Sequence, residues 1–204
     1  MNLAICEAAP AAAARHLEMV LRSNPIDLPI ASVHAPRASC PHWRNGPAAP
    51  AKSVNSSSDF RDADLDALLE LNALRVGGTS ARLLQLETQF SGRFLPEHQL
   101  AVYGSLAPGR SNHHQLQDLR GEWRSGCIVR GDLADRGWGA ALGYPALRWS
   151  PSGPAVPVEL FVSADLPRHW ERLDEFEGPD YLRILVPVFA VTGVIAVANL
   201  YAAR

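Results

Sequence analysis

The sequence LAVYGSLAPG at residues 100–109 joins a short apolar run to an abrupt turn signal. Its glycines favour unusual backbone angles, and its proline lacks the N–H group that a strand ladder needs. We therefore expect a strand that stops near Tyr103 and a loop over residues 103–109. Successive backbone N–H groups in such a loop can converge on one concavity that suits a carboxylate or another oxyanion. A plain turn between two strands is the alternative.

A second stretch, LDEFEGPDYLR at residues 173–183, ends a helix that we predict over residues 165–177. A proline is tolerated in its first turn, and a Gly-Pro pair stops it. Trp170, Leu173 and Glu177 are spaced by three and four, so they share one face. Burial on that face and the negative end of the helix dipole both favour the protonated form of Glu177. Glu177 is therefore expected to be a stronger base than a surface glutamate.

Several residues of this stretch have more than one interpretation. Glu177 fits a general base, and it also fits a partly buried carboxylate that pairs with Arg172 or Arg183. Tyr181 fits a donor to Glu177 or to a substrate, and also a buried aromatic residue whose hydroxyl is satisfied locally. Arg183 either holds a carboxylate or begins the next strand. The other acidic residues of the helix are expected on its exposed face or in local capping interactions: Glu171, Asp174 and Glu175.

The YGSL loop, the LDxFEG motif and the Tyr-x-Arg triplet that follows it together resemble the gamma-glutamyl cyclotransferase-like family, which includes the gamma-glutamylamine cyclotransferases. The resemblance covers residues 100–204. It implies a compact α+β barrel and an activity that needs no cofactor. It also places the catalytic glutamate at the second Glu of LDEFEG, which is Glu177.

The reaction that the resemblance implies releases 5-oxoproline and a free amine from a small gamma-glutamyl amide. The substrate's α-amine attacks its own side-chain carbonyl and closes a five-membered lactam, so no enzyme nucleophile is needed. Glu177 would take the proton from the attacking amine and give one to the leaving amine. The N–H groups of the loop would either grip the substrate's α-carboxylate or form an oxyanion hole. The expected substrate-binding residues are Tyr103, Gly104, Ser105, Leu106 and Tyr181.

A non-catalytic module that binds a small metabolite in the same pocket is the alternative function. No GxSxG elbow and no recognisable His and acid accompany Ser105, which argues against a hydrolase triad. The glycines fit neither a P-loop nor a dinucleotide fingerprint. His113 and His114 are adjacent and do not share a helix face, so we expect exposed polar histidines and no metal site.

The composition disfavours several classes of partner. The 204 residues are 47% hydrophobic and 20% charged, and their formal net charge of -2 and pI near 6.4 give no electrostatic reason to expect nucleic acid or an anionic membrane surface. The three cysteines lack the paired spacing of a zinc site or a disulfide framework. No apolar run is long enough to cross a bilayer. We expect a cytoplasmic protein whose partner is a small gamma-glutamyl substrate, and the oligomeric state stays open.

The part of the chain before the motifs divides into two regions. Residues 1–58 are rich in Ala, Pro, Ser and Asn, which predicts a disordered or low-complexity extension with a short helix at residues 11–22. In residues 59–95 leucines recur at helical spacings, which predicts helices over residues 62–76 and 80–90. The leucine stripes favour packing against the domain, and a partner-binding arm is the alternative.

Residues 98–204 are predicted to form the compact domain, because all four tyrosines and four of the five tryptophans lie there. Several strands, few helices and short turns indicate an α+β fold, a small mixed β-barrel or curved sheet with a flanking helix. Pro187 indicates that its strand lies at an edge or contains a bulge. The predicted strands cover residues 127–133, 157–164, 183–190 and 194–202, with a short helix at 111–119 and a loop at 136–147.

Overall fold

The computed structural model describes residues 60–134 and 143–204. The predicted extension over residues 1–58, with its short helix, lies outside the described residues. No helix in the described part is both long and apolar enough to cross a membrane. In chain order the elements are α1 (Asp62–Gly77), α2 (Ala81–Phe94), β1 (Gln99–Val102), β2 (Glu122–Ala134), β3 (Ala146–Trp149), β4 (Ala155–Val162), α3 (Trp170–Glu177), β5 (Tyr181–Ala190) and β6 (Gly193–Ala203).

Five strands close a mixed β-barrel in the order β2-β4-β1-β6-β5, and β3 is added on β2. The closing pair joins Ile128 of β2 to Phe189 of β5. Strands β1 and β6 run parallel, with Leu100 opposite Asn199, and the other neighbouring pairs are antiparallel. The predicted α+β fold with a small mixed barrel is therefore confirmed. More than one helix flanks the barrel, whereas the prediction gave it a single flanking helix.

The long strand β2 bends, and this bend lets it pair with β3, β4 and β5. Its register against β4 shifts between Arg124 and Cys127, and Gly126 at this point has φ 75°. Residues with a side chain rarely adopt that angle, so the bulge depends on glycine. The strand predicted over residues 127–133 is the part of β2 that follows the bulge.

The helix predicted over residues 165–177 is wrong in its first half. The chain there forms a 3-10 turn, Leu166–Arg168, and α3 starts only at Trp170. The Asp165 carboxylate does not cap the helix but accepts a hydrogen bond from the Arg120 N–H at 3.0 Å. This contact ties the turn to the loop before β2, which the helical pattern does not reveal.

Two other segments also differ from their prediction. The last residues of the predicted loop 136–147 belong to β3, because Leu147 is fully buried and pairs with Leu133 of β2. The helix predicted over residues 111–119 is only a 3-10 turn, His113–Gln115. In both places tertiary packing overrides a weak local signal.

Three clusters of buried side chains join the layers. One takes residues from all six strands and forms the barrel core, for example Ala101, Cys127, Leu147, Val158, Val186 and Ala198. A second packs α3 against the barrel through Leu173 and Phe176. The third packs α1 and α2, which we call the arm, against Leu185 of β5 and Val197 of β6. The packing of the helices against the domain, which the leucine pattern favours, is thus observed.

Polar side chains of α1 bind the edge of β5 that faces away from β6. The buried Asn72 donates from Nδ2 to Leu185 O at 2.7 Å and accepts from the Leu185 N–H at 2.9 Å. Arg75 donates from Nη1 to Arg183 O at 3.1 Å. Alternate strand residues point to the same edge, so the missing N–H of Pro187 falls on this side and costs no bond to β6. The register of β5 against β6 shifts between Val188 and Phe189, just after Pro187. The edge position and the bulge that Pro187 indicates are therefore both present.

We predict that Asn72→Ala lowers the free energy of unfolding by about 2–4 kcal/mol, because it leaves the N–H and C=O of Leu185 without their partner in a buried place. Chemical denaturation of the complete chain measures this. Gln89→Ala, on the exposed face of α2, is the control and should change stability by less than about 0.5 kcal/mol. Equal stability of the two variants would contradict the docking role of Asn72.

Candidate active site

One pocket collects all six residues that the sequence predicted for the site. It lies where the loop after β1 meets the end of α3, and Leu100, Ala101 and Val102 of β1 form its floor. The structure therefore brings together two motifs that are about seventy residues apart in the chain. The predicted residues in the lining are Tyr103, Gly104, Ser105, Leu106, Glu177 and Tyr181, and they are joined by Tyr144, Pro145 and Tyr201.

Glu177 occupies the last turn of α3 and is only 8% exposed. Trp170 and Leu173 are buried on the same face, as their spacing predicts. Gly178 follows with φ 72° and turns the chain away, so the helix ends at the carboxylate. Burial raises the pKa of Glu177 to about 8, and the negative charge of Asp174 adds to the effect. Near neutral pH the carboxyl is thus largely protonated, yet close to its titration point.

The arginines that were alternative partners of Glu177 bind elsewhere. Arg183 forms a two-pronged ion pair with Asp174, with its Nε 2.7 Å and its Nη2 3.0 Å from the two carboxylate oxygens. Arg172 donates to the side chain and the backbone carbonyl of Gln115. Pairing of Glu177 with Arg172 or Arg183 is therefore wrong, and Arg183 lies near the start of β5 and holds the carboxylate of Asp174.

Asp174 connects α3 to the barrel beside the pocket. Besides Arg183, its Oδ1 accepts a hydrogen bond from the Tyr201 hydroxyl at 2.7 Å. The Arg183 guanidinium also donates to Asn199 and stacks on the Trp170 ring at 4.6 Å from its centroid. As expected, Asp174 lies on the exposed face of α3, with 42% of its side chain exposed, and from there it also binds β5 and β6. One turn before Glu177, it sets both the position of the helix end and the charge near the buried carboxyl.

The YGSL loop lines the pocket and brings three backbone N–H groups beside it. Those of Gly104, Ser105 and Leu106 donate to no backbone carbonyl of the described residues. The buried Asn112 holds the loop in shape, since its Nδ2 donates to Ser105 Oγ at 2.9 Å and its N–H donates to Ser105 O at 3.0 Å. The loop is thus a braced donor surface, which is the arrangement that an oxyanion or carboxylate site needs.

Tyr103 forms a fixed wall of the pocket. Its hydroxyl donates to Tyr201 O at 2.9 Å and accepts from the Leu147 N–H at 3.0 Å. Burial raises the pKa of Tyr103, so the hydroxyl keeps its proton. Because both hydrogen-bonding positions are used by the protein, Tyr103 shapes the pocket and is not placed to move protons.

Several residues around the site were missed by sequence reasoning. Tyr201 reaches the pocket because β6 lies parallel to β1, and no local pattern announces that pairing. Tyr144 and Pro145 stand in a glycine-rich stretch that gives no sign of a site. The short helix predicted over residues 111–119 gave no sign that Asn112 is buried and braces the loop.

The histidine pair is not on the surface as expected. His113 and His114 are half-buried, and each places its Nδ1 near a backbone carbonyl, of Leu106 and Ser111 respectively. The His113 ring also packs on Trp123. Among the described residues no group of three or more His, Cys, Asp or Glu side chains could hold a metal ion.

The family described as Gamma-glutamyl cyclotransferase, AIG2-like matches residues 100–204. The chain belongs to this family. The match contains the YGSL loop, Glu177 and every strand except the first residue of β1, whereas the arm lies before it. None of the curated proteins is significantly similar to the chain.

The search of solved structures matches proteins from several organisms. YkqA from Bacillus subtilis is 25% identical over 52% of this chain and 36% of its own, with a TM-score of 0.41. An aig2-like protein from Mus musculus is 22% identical over 52% of this chain and 77% of its own, with a TM-score of 0.42. Protein PH0828 from Pyrococcus horikoshii is 22% identical over 52% and 76%, with a TM-score of 0.32. The chain thus spans about a third of the length of the Bacillus protein.

The raised pKa of Glu177 predicts an unusual dependence of stability on pH. The unfolded chain releases this proton near pH 4.5, whereas the folded protein keeps it up to about pH 8. Between these values the folded state binds more protons, so the wild type loses stability as pH rises, at about 1 kcal/mol per pH unit from this group. Glu177→Gln removes the effect. Denaturation from pH 4 to 9 should show that the stability of the variant relative to the wild type increases up to about pH 8 and stays constant above it.

Two companion variants define the cause. Asp174→Asn removes a negative charge beside Glu177, so the pH at which the loss of stability levels off should move downward. Glu175→Gln removes the same charge from the exposed face of α3 and should follow the wild type. Parallel curves for Glu177→Gln and the wild type would show that Glu177 titrates as an ordinary glutamate.

Proposed function

We propose that this protein is a gamma-glutamyl cyclotransferase that releases 5-oxoproline and a free amine from a small gamma-glutamyl amide. The observation that carries the proposal is that a buried carboxyl, Glu177, lines one pocket together with the open N–H groups of residues 104–106. Membership of the family supports the reaction type. The identity of the leaving amine is left to the experiment below.

The chemistry requires one group that moves protons and one surface that fixes the substrate. The α-ammonium must lose a proton before it attacks, and the departing nitrogen must gain one. Glu177, with a pKa of about 8, is better matched to an ammonium than a surface glutamate, because proton transfer between groups of similar pKa is easier. In its ionised form it accepts the ammonium proton and then delivers it to the leaving amine, so atoms and charges balance.

The loop supplies the orientation. Folding the gamma-glutamyl chain so that its nitrogen meets its carbonyl can contribute about 7–11 kcal/mol to catalysis. The N–H groups of Gly104, Ser105 and Leu106 either hold the α-carboxylate or stabilise the oxyanion that forms on the attacked carbonyl. Bracing by Asn112 keeps these donors in place without a substrate, so little order has to be created on binding.

The pocket is narrow, with a volume of about 40 Å³. That volume holds only one or two water molecules, and a gamma-glutamyl group is larger. Productive binding therefore needs lining side chains to move apart. A narrow pocket of this kind favours a small, flexible substrate over bulky ones.

The test is 5-oxoproline release from gamma-glutamyl dipeptides, gamma-glutamyl-ε-lysine and glutathione. We expect the wild type to turn over at least one of them, with kcat/KM rising with pH toward about 8 as Glu177 ionises. Glu177→Gln should lose about 100-fold or more. Glu175→Gln is the matched control and should stay within about 2-fold, because its side chain faces solvent.

The alternative function, a module that binds a metabolite without turnover, predicts a different pair of results. Neither the wild type nor Glu177→Gln would release 5-oxoproline from any substrate of the panel. A gamma-glutamyl ligand would nevertheless raise the melting temperature of both proteins. That pair of results would overturn the catalytic proposal and would identify the pocket as a binding site without turnover.

A further inference from the structure

A second and larger cavity lies between the arm and the barrel. Its volume is about 600 Å³, within the range of sites for small molecules. It shares Tyr181 and Tyr201 with the Glu177 pocket but is otherwise built from different residues. Its walls include Arg75, Glu87 and Ser91 of the arm, which lies outside the family match.

The cavity is lined by three arginines and three acids, Arg75, Arg183, Arg204, Glu87, Glu97 and Asp174. Four of them form two ion pairs, Arg75 with Glu87 at 3.2 Å and Arg183 with Asp174 at 2.7 Å. Within the described residues Arg204 has no carboxylate partner. Glu97 likewise belongs to no ion pair in the described part of the chain and accepts a hydrogen bond from Ser91 Oγ, so the lining keeps one cation and one acid outside its ion pairs.

Arg75 is the least exposed of the three cations. Its side chain is 16% exposed, and it donates from Nε to Glu87 and from Nη1 to Arg183 O. These bonds use two of its three nitrogens. Burial lowers the pKa of Arg75, and the adjacent charge of Arg183 lowers it further. The negative charge of Glu87 acts in the opposite direction. A buried cation beside a second cation gains from an anion that enters the cavity.

Arg204 offers further donors at the same cavity. Its Nε donates to Tyr181 O at 3.3 Å, and its two terminal nitrogens have no acceptor among the described residues. A guanidinium held by one bond presents its remaining N–H groups in a fixed fork. Such a fork matches the two oxygens of a carboxylate.

We propose that the cavity between the arm and the barrel binds a small monocarboxylate, which Arg75 and Arg204 hold. The three acids of the lining disfavour a dianion such as phosphate, because each added negative charge is repelled by Glu87, Glu97 and Asp174. The ligand lies beside the Asp174–Arg183 pair, one helical turn from Glu177. The site does not depend on the reaction proposed above.

The test is an NMR titration of the complete chain with sodium propionate, with sodium chloride at matched ionic strength as the blank. We expect saturable shifts of the side-chain Nε–H signals of Arg75 and Arg204, whose affinity is independent of any shift of the amides of residues 104–106. Sodium phosphate at the same ionic strength should bind at least 5-fold more weakly. Propionate shifts that do not saturate, shifts that map to residues 104–106 instead, or phosphate that binds as tightly would overturn the proposal.

Three charge variants make the assignment specific. Arg204→Gln should weaken propionate binding at least 5-fold, because it removes the free fork. Glu87→Gln should bind at least as tightly as the wild type, since it removes a carboxylate that competes for Arg75. Arg82→Gln removes an arginine of the exposed arm surface, where Arg82 pairs with Glu70, and should leave binding unchanged. Wild-type affinity in Arg204→Gln, or weaker binding in Glu87→Gln, would contradict the site.

Discussion

The Asp174 carboxylate binds Arg183 and Tyr201 at once, and the arrangement of the site depends on this contact. Arg183 belongs to β5 and Tyr201 to β6, so one carboxylate fixes the end of α3 against both strands of the hairpin. The backbone carbonyl of Arg183 in turn accepts from Arg75 of the arm. A continuous chain of polar contacts therefore runs from the arm through the barrel edge to the helix that carries Glu177.

This arrangement also explains why a glutamate is tolerated in an apolar place. The nearby cation, Arg183, is paired with Asp174. Burial and the negative charge of Asp174 both raise the pKa of Glu177. The raised pKa lowers the stability of the folded protein above pH 4.5, and it makes the carboxyl titrate near neutrality. Titration near neutrality is a common property of catalytic acids and bases.

The parts of the site that rest on local chemistry were predictable from the sequence. The spacing of Trp170, Leu173 and Glu177 predicts a buried glutamate, because helical periodicity is a local property. The glycines of the YGSL loop likewise predict the end of β1. Contacts between distant segments were not predictable: Asn72 binds Leu185 across 113 positions, and Tyr201 joins the pocket through the parallel pairing of β1 and β6. The 3-10 turn before α3 follows from a contact of the same kind, between Asp165 and Arg120.

The central claim is that the loop donors and Glu177 form one product-binding site. An NMR titration of the complete chain with 5-oxoproline tests it most directly. The account predicts that the backbone amides of Gly104, Ser105 and Leu106 show the largest saturable shifts, together with the side-chain carboxyl carbon of Glu177. Saturable shifts elsewhere with these four signals unmoved, or no saturable shift at all, would contradict it.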